Sequence, residues 1–239
     1  MSKNALIVGA TGGIGAALVD ELVADPIIQS VYAIARNPVA PRDGLKVYQA
    51  DILDEVDLVR IRKDIANFTE PDLVIVATGI LSDGADLQPE KTYRRQSLAA
   101  FERVFRINTF GPALIAKHFL PLMPRKRRAV FAVLSARVGS IADNRSGGWH
   151  AYRASKAALN MLLKNYALEQ SFRNKNAIVV GLHPGTVDTG LSRPFQKGLP
   201  EGQVITPETS ARSLIQVIEG LSAEDSGKVF DWCGLEIPP

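Results

Sequence analysis

The chain has 239 residues, 46% of them hydrophobic, and its 28 basic and 25 acidic side chains leave a formal charge of +3; that length suits one α/β core, and so small a basic excess says little about nucleic acid, which is not an expected partner. A single cysteine, Cys233, excludes an internal disulfide and suits a reducing compartment. No apolar run approaches the ~20 residues that span a bilayer, and Met1-Ser2-Lys3-Asn4 runs straight into a short strand, unlike a signal peptide, so the expectation is one domain, 1–239, soluble and cytoplasmic with no membrane insertion.

Ala5-Leu6-Ile7-Val8 is a continuous apolar run of strand length, the pattern of a parallel strand covered on both faces. Gly9-Ala10-Thr11-Gly12-Gly13-Ile14-Gly15 follows, and then a helical segment from Ala16 to Ala24. The glycines allow a tight turn, and the helix N-terminus behind them offers free N–H groups to a pyrophosphate. The spacing is G-x-x-x-G-x-G rather than G-x-G-x-x-G, and the reading is a nucleotide-binding turn rather than a plain one. Val31 to Ala35 makes a second strand that ends in Arg36-Asn37-Pro38. Dinucleotide folds use an acid at this point to hold the ribose 2′-hydroxyl of NAD and a basic residue to accept the 2′-phosphate of NADP. Arg36 without an acid favours NADP over NAD. Lys46 to Gln49 is the third strand, and Asp51 after it either accepts from an adenine amino group or N-caps the helix that starts near Asp54.

Asp72 to Ala77 is a fourth strand ending in Thr78-Gly79, where a glycine lets the backbone pass close to a ligand. Leu81 to Thr92 is polar, carries Gly84 and Pro89, and reads as a long surface loop. A helical pattern from Ser97 passes through Asn108-Thr109-Phe110-Gly111-Pro112 and resumes to Leu122. Asn108 on an apolar face beside Gly-Pro either satisfies broken backbone bonds or holds a water. Arg125 to Arg128 reads as a solvated basic turn. Ala129 to Leu134 is the fifth strand and delivers Ser135 where open α/β sheets bind ligands, placed to donate to a substrate oxygen. A glycine-containing loop, Arg137 to His150, follows.

Tyr152 and Lys156 open the next helix on one face, four apart. A cation beside a phenol favours phenolate and brings its pKa toward working pH, which makes Tyr152 a usable proton donor and acceptor. Ala177 to Leu182 is the sixth strand, ending in His183-Pro184-Gly185-Thr186-Val187-Asp188-Thr189. His183 is an acid/base candidate that reads better as structural, and three histidines without ligand spacing make no metal site. Ser192 to Thr206 has the composition of a mobile flap, and a helix from Pro207 to Leu221 and a strand near Lys228-Val229-Phe230 complete the chain.

With Gly9 to Gly15, Asp51, Thr78-Gly79, Asn108, Ser135, Tyr152-x-x-x-Lys156, Pro184-Gly185 and Thr189 in this order, the sequence resembles the short-chain dehydrogenase/reductase family over essentially its whole length. The text around Asn108, Ser135 and His183 looks most like its C-factor (C-signal) subgroup and their carbonyl reductase relatives. The resemblance implies a single Rossmann-type doubly wound domain whose seven mostly parallel strands run 3-2-1-4-5-6-7. It implies an NADP(H)-dependent oxidoreductase acting on a small carbonyl or alcohol, or alternatively a cofactor-binding signalling protein with little turnover. By likeness, Tyr152 is the general acid, Lys156 lowers its pKa and holds the nicotinamide ribose, Ser135 orients the carbonyl, and Asn108 anchors a relay water. The cofactor contacts implied are Gly9, Thr11, Gly13, Ile14, Gly15, Arg36, Asp51, Ile52, Thr78, Gly79, Asn108, Tyr152, Lys156, Pro184, Gly185, Val187 and Thr189. A homodimer or homotetramer built on the helices Asn108 to Leu122 and Tyr152 to Ser171 is also implied. Two departures stand out: Ala77-Thr78-Gly79 replaces the family's Asn-Ala-Gly, and Asn144 to Gly148 lengthens the Ser135 to Tyr152 gap.

Overall fold

The computed structural model describes residues 3–239; Met1 and Ser2, on which the reading of the N-terminus partly rests, lie outside the described residues. The chain opens with β1 (Lys3–Val8), α1 (Gly13–Ala24), β2 (Ile28–Ala35), β3 (Leu45–Gln49), α2 (Glu55–Ala66) and β4 (Leu73–Val76). It continues with α3 (Leu98–Phe105), α4 (Gly111–Phe119), β5 (Ala129–Leu134), α5 (His150–Arg173) and β6 (Ala177–His183). A short β7 (Thr186–Val187) and β8 (Val204–Ile205) precede α6 (Pro207–Gly220), β9 (Val229–Asp231) and β10 (Glu236–Ile237).

The main sheet has eight strands in the order β3-β2-β1-β4-β5-β6-β9-β10. The seven expected strands are there in the expected order, and they are parallel. The eighth, β10, pairs antiparallel with β9. Its hairpin is built by Asp231, whose Oδ1 accepts from the N–H groups of Cys233 at 3.0 Å and Leu235 at 2.9 Å. Two residues are too few for any periodic pattern to announce.

Alternation along the buried strands sorts side chains onto two cores. Ala5, Ile7, Ile75, Val130 and Ala132 face Leu18 and Leu22 of α1 and Leu214 and Ile218 of α6. Leu6, Val8, Val74, Val76 and Phe131 face Leu58 and Ile61 of α2, Ile115 and Phe119 of α4, and Leu159 and Leu163 of α5. Each large side chain buried this way contributes about 1.5–3 kcal/mol. α5 spends one face on the sheet and leaves Met161, Leu168 and Phe172 exposed on another.

The basic run is consumed by the fold in part. Arg127 pairs with Asp72 and Glu70, and Arg128 donates to the carbonyls of Ile218 and Leu221, closing the C-terminus of α6. The stretch read as a surface loop is also different: Leu81, Leu87 and Glu90 are buried, the leucines in a third apolar cluster with Val104, Ala136 and Tyr152. Polar neighbours such as Ser82 and Asp83 mask those two anchors in the sequence. Among the described residues no helix is long and apolar enough to cross a membrane.

Candidate active site

β1 lies between β2 and β4, so the chain leaves it in opposite directions at its C-terminal end. That divergence is where open α/β sheets form their ligand crevice. Two adjoining clefts of about 510 and 470 Å³ occupy it, and they share Thr11, Gly12, Ala77, Thr78 and Gly79.

The larger cleft has a nucleotide's requirements. α1 has Gly12 at its N-cap position, with no side-chain cap and no acid in its first turn, whereas α2 is capped by Asp54 and followed by Glu55 and Asp57. The free N–H groups of α1 therefore present an unopposed positive helix end to the cleft. Close packing places that helix end: Gly9 takes φ +90°, and a Cβ on Gly15 would lie 2.1 Å from the Gly9 carbonyl oxygen. Arg36, Asn37, Asp51 and Ile52 line the far end, joined by Arg103 and Arg106, which the sequence pattern did not single out. Arg103 is paired with Asp83. Asp51 is not the N-cap: Asp54 holds that place, and the Asp51 carboxylate accepts from Leu53 N–H at 2.9 Å. Thr78 Oγ1 is buried on the wall of both clefts with no partner. An uncapped helix end, an orphaned hydroxyl and a basic rim fit a phosphorylated dinucleotide.

The smaller cleft gathers Ser135 from the end of β5, Tyr152 and Lys156 from the first turns of α5, and Pro184, Gly185, Val187 and Thr189 from the segment that follows β6. Thr11, Gly13, Ile14, Thr78 and Gly79 complete it. Gly15 and Asn108 line neither cleft; Gly15 acts by packing, and Asn108 lies behind Gly79. Lys156 Nζ donates to the Leu134 carbonyl at 2.7 Å and stands 5.9 Å from the centre of the Tyr152 ring. Burial pushes the Tyr152 phenol up to about 12 and the Lys156 ammonium down to about 8. The expected lowering of the phenol by its neighbour is thus outweighed by desolvation in the protein by itself. At neutral pH Tyr152 holds its proton and Lys156 its charge.

Asn108 sits in a π-helical turn, Arg106–Phe110, between α3 and α4. Its side chain bonds outward to a neighbouring loop: Oδ1 accepts from Ile80 N–H at 2.8 Å, and Nδ2 donates to the Ile80 carbonyl at 2.9 Å and to Ser155 Oγ at 3.1 Å. Both amide protons are therefore in use, and neither is free for a water. Ser155 Oγ in turn donates to the Tyr152 carbonyl at 2.7 Å, which ties the π turn to the helix that carries Tyr152. His183 lines the same cleft with Nδ1 buried and without a partner. Burial, then the Arg137 guanidinium, hold the imidazole down to about 4 against the opposing Asp231 carboxylate. A neutral ring suits a structural position better than a proton donor.

The chain enters α5 through three consecutive left-handed residues, Gly147, Gly148 and Trp149 at φ 60°, 67° and 50°. Trp149 is strained there, and the surroundings hold it: its N–H donates to the Glu90 carbonyl at 2.5 Å, and Ala151 N–H donates to Glu90 Oε2 at 3.2 Å. The buried Glu90 thus supplies the acceptor at the N-terminus of α5 that Trp149, its cap residue, does not. Trp149 stands edge-on to Tyr152 with ring centres 6.3 Å apart, and 5.2 Å from Phe195 of the flap. β8, near the end of that flap, pairs with β7, which precedes it in the chain. Sequence reading also misses Asn160, whose Oδ1 accepts from Ser135 Oγ at 2.6 Å. Its signal is position, four residues past Lys156 on the face of Tyr152. Among the described residues no cluster of His, Cys, Asp and Glu is placed to hold a metal ion.

A doubly wound sheet with a glycine-turned crevice and Ser, Tyr and Lys at its mouth defines a class of dinucleotide-fold proteins. The chain belongs to the short chain dehydrogenase family, which it matches over residues 3–199. It is 37% identical over 140 residues to the C-signal protein of Myxococcus xanthus, covering 59% of this chain and 79% of that one. Among solved structures it is similar to the carbonyl reductase Sniffer of D. melanogaster, with TM-score 0.86, 22% identity and full coverage of both chains. An NADPH-bound carbonyl reductase from chicken fatty liver aligns with TM-score 0.83 and 23% identity over 100% of this chain and 94% of that one.

Proposed function

We propose that the protein is an NADP(H)-dependent oxidoreductase that interconverts a small carbonyl compound and its alcohol. The observation that carries this reading is the convergence of Ser135, Tyr152 and Lys156 on a cleft continuous with the uncapped N-terminus of α1. The NADPH named with the chicken carbonyl reductase agrees with Arg36 on the rim of the nucleotide cleft.

When bound, the nicotinamide supplies or accepts the hydride. The chain's own groups do the rest. Gly12, Gly13 and the first N–H groups of α1 receive the pyrophosphate, and Arg36 receives the 2′-phosphate. Ser135 holds the carbonyl oxygen at the end of β5, and Tyr152 gives that oxygen its phenolic proton as negative charge develops. Lys156, fastened to the Leu134 carbonyl, places a positive charge behind the phenol and stabilises the phenolate left after transfer.

Equilibrium titration with NADPH and NADH tests the reading. We expect NADPH to bind more tightly, and Arg36→Ala to weaken NADPH by about 10- to 100-fold, the worth of a charge-assisted contact, with NADH little changed. Binding of neither cofactor overturns the proposal.

The Lys156 pKa makes a second prediction. With the free site near 8, Lys156 is charged below that pH and neutral above it. An anionic cofactor favours the charged form and raises the pKa, so binding takes up a proton on the alkaline side. NADPH affinity should be level from pH 7 to near 8 and then fall, approaching about tenfold per pH unit. In Lys156→Met that alkaline decline should vanish from the same titration.

A further inference from the structure

Ser135 is almost wholly enclosed, at 3% exposure, and its hydroxyl has one proton to give. That proton goes to Asn160 Oδ1 at 2.6 Å. While the amide holds it, the serine cannot donate it to a substrate oxygen. Asn160 stands on α5 one turn beyond Lys156 and two beyond Tyr152, so the three form a polar stripe on one face. The contact is built into the packing. The turn after Ser135 approaches α5 so closely that a Cβ on Gly139 would lie 2.8 Å from Lys156 Cβ and 3.2 Å from Asn160 Nδ2.

We propose that Asn160 is a positioning residue for Ser135: it pins Oγ at the floor of the cleft and accepts its hydrogen bond until a carbonyl oxygen arrives. The O–H bond then turns from the amide to the substrate while Oγ stays in place. A serine without this partner is free to change rotamer, and each turnover must then fix it afresh. Asn160 touches neither substrate nor cofactor in this arrangement and acts wholly through Ser135. The inference rests on the proposed carbonyl chemistry, and its test separates the two.

The test is a double-mutant cycle on Ser135→Ala, Asn160→Ala and the pair. The probe is diacetyl, a small diketone whose adjacent carbonyl activates it and which makes little demand on pocket shape. NADPH affinity is read separately by cofactor fluorescence, so that retention of a folded site does not depend on activity. Asn160→Ala should lower kcat about tenfold, leave NADPH affinity unchanged, and have no further effect once Ser135 is alanine. An undiminished kcat in Asn160→Ala, lost NADPH affinity, or the same fold-loss with Ser135 already removed overturns the positioning role alone. Full activity in Ser135→Ala overturns the role given to Ser135 and the inference with it, whereas failure of the unaltered protein to reduce diacetyl with NADPH bound overturns the carbonyl reading on which the inference rests.

Discussion

Replacing Tyr152 with phenylalanine should lower kcat for carbonyl reduction by about 10²- to 10⁴-fold, the range of a positioned general acid, while NADPH still binds. The hydroxyl is the one group removed, and the ring's packing against Trp149 is retained. The phenol stands at about 12 because it is buried, so at neutral pH it is wholly protonated and no other group of the cleft duplicates it: His183 is neutral and Lys156 is bonded to a backbone carbonyl. Steady-state kinetics with diacetyl and a cofactor titration decide the matter together. Unchanged turnover with intact binding would remove the basis for Tyr152 as the acid, and unchanged biological activity in a variant without turnover would favour a binding or signalling role.

Gly15→Ala should damage fold and cofactor binding at once. Its Cβ would fall 2.1 Å from the Gly9 carbonyl oxygen and 2.9 Å from the Gly9 carbonyl carbon, and both are backbone atoms with no rotamer to escape into. Either α1 lifts from β1 or the turn opens. The expected cost is about 1–3 kcal/mol of stability, or about 2–4 °C of melting temperature per kcal/mol, together with loss of NADPH affinity. Gly220→Ala at the end of α6 is the control, since a Cβ there meets nothing within 4 Å; it should be neutral or slightly stabilising. Equal melting temperatures for the two variants would contradict the packing argument.

Much of this architecture is readable from the chain because its signals are local. Ala129–Leu134 is a strand in the sequence pattern and in the structure alike, since six apolar residues between a basic turn and a serine leave few alternatives. The turn from Gly9 to Gly15 and the Tyr152–Lys156 pair are equally compact. What stays hidden depends on contacts between distant segments. Glu90 reads as part of a polar loop until α5 arrives, 61 residues later, and takes its carboxylate as a cap. Asn108 reads as a polar intruder in a helix until Ile80, 28 residues earlier, proves to be its partner. Asn160 carries no motif of its own, and its bond to Ser135 exists only because β5 and α5 meet. The neighbouring pair also shows a limit of spacing arguments. Four residues apart places Lys156 beside Tyr152, but the depth of the cleft, which spacing does not reveal, decides that burial outweighs the charge.

The aromatic contact between the flap and α5 gives the molecule an optical property. The chain has two tryptophans, and each packs against a residue that lines the reaction cleft. Trp149 lies against Tyr152 and Phe195, and Trp232 lies under Gly185, where a Cβ would come within 3.0 Å of its ring. Reduced nicotinamides absorb where indoles emit. Energy transfer from both rings would therefore signal occupancy, and the loss of that transfer in Trp149→Phe would isolate the share that comes from the ring beside Tyr152 and Phe195.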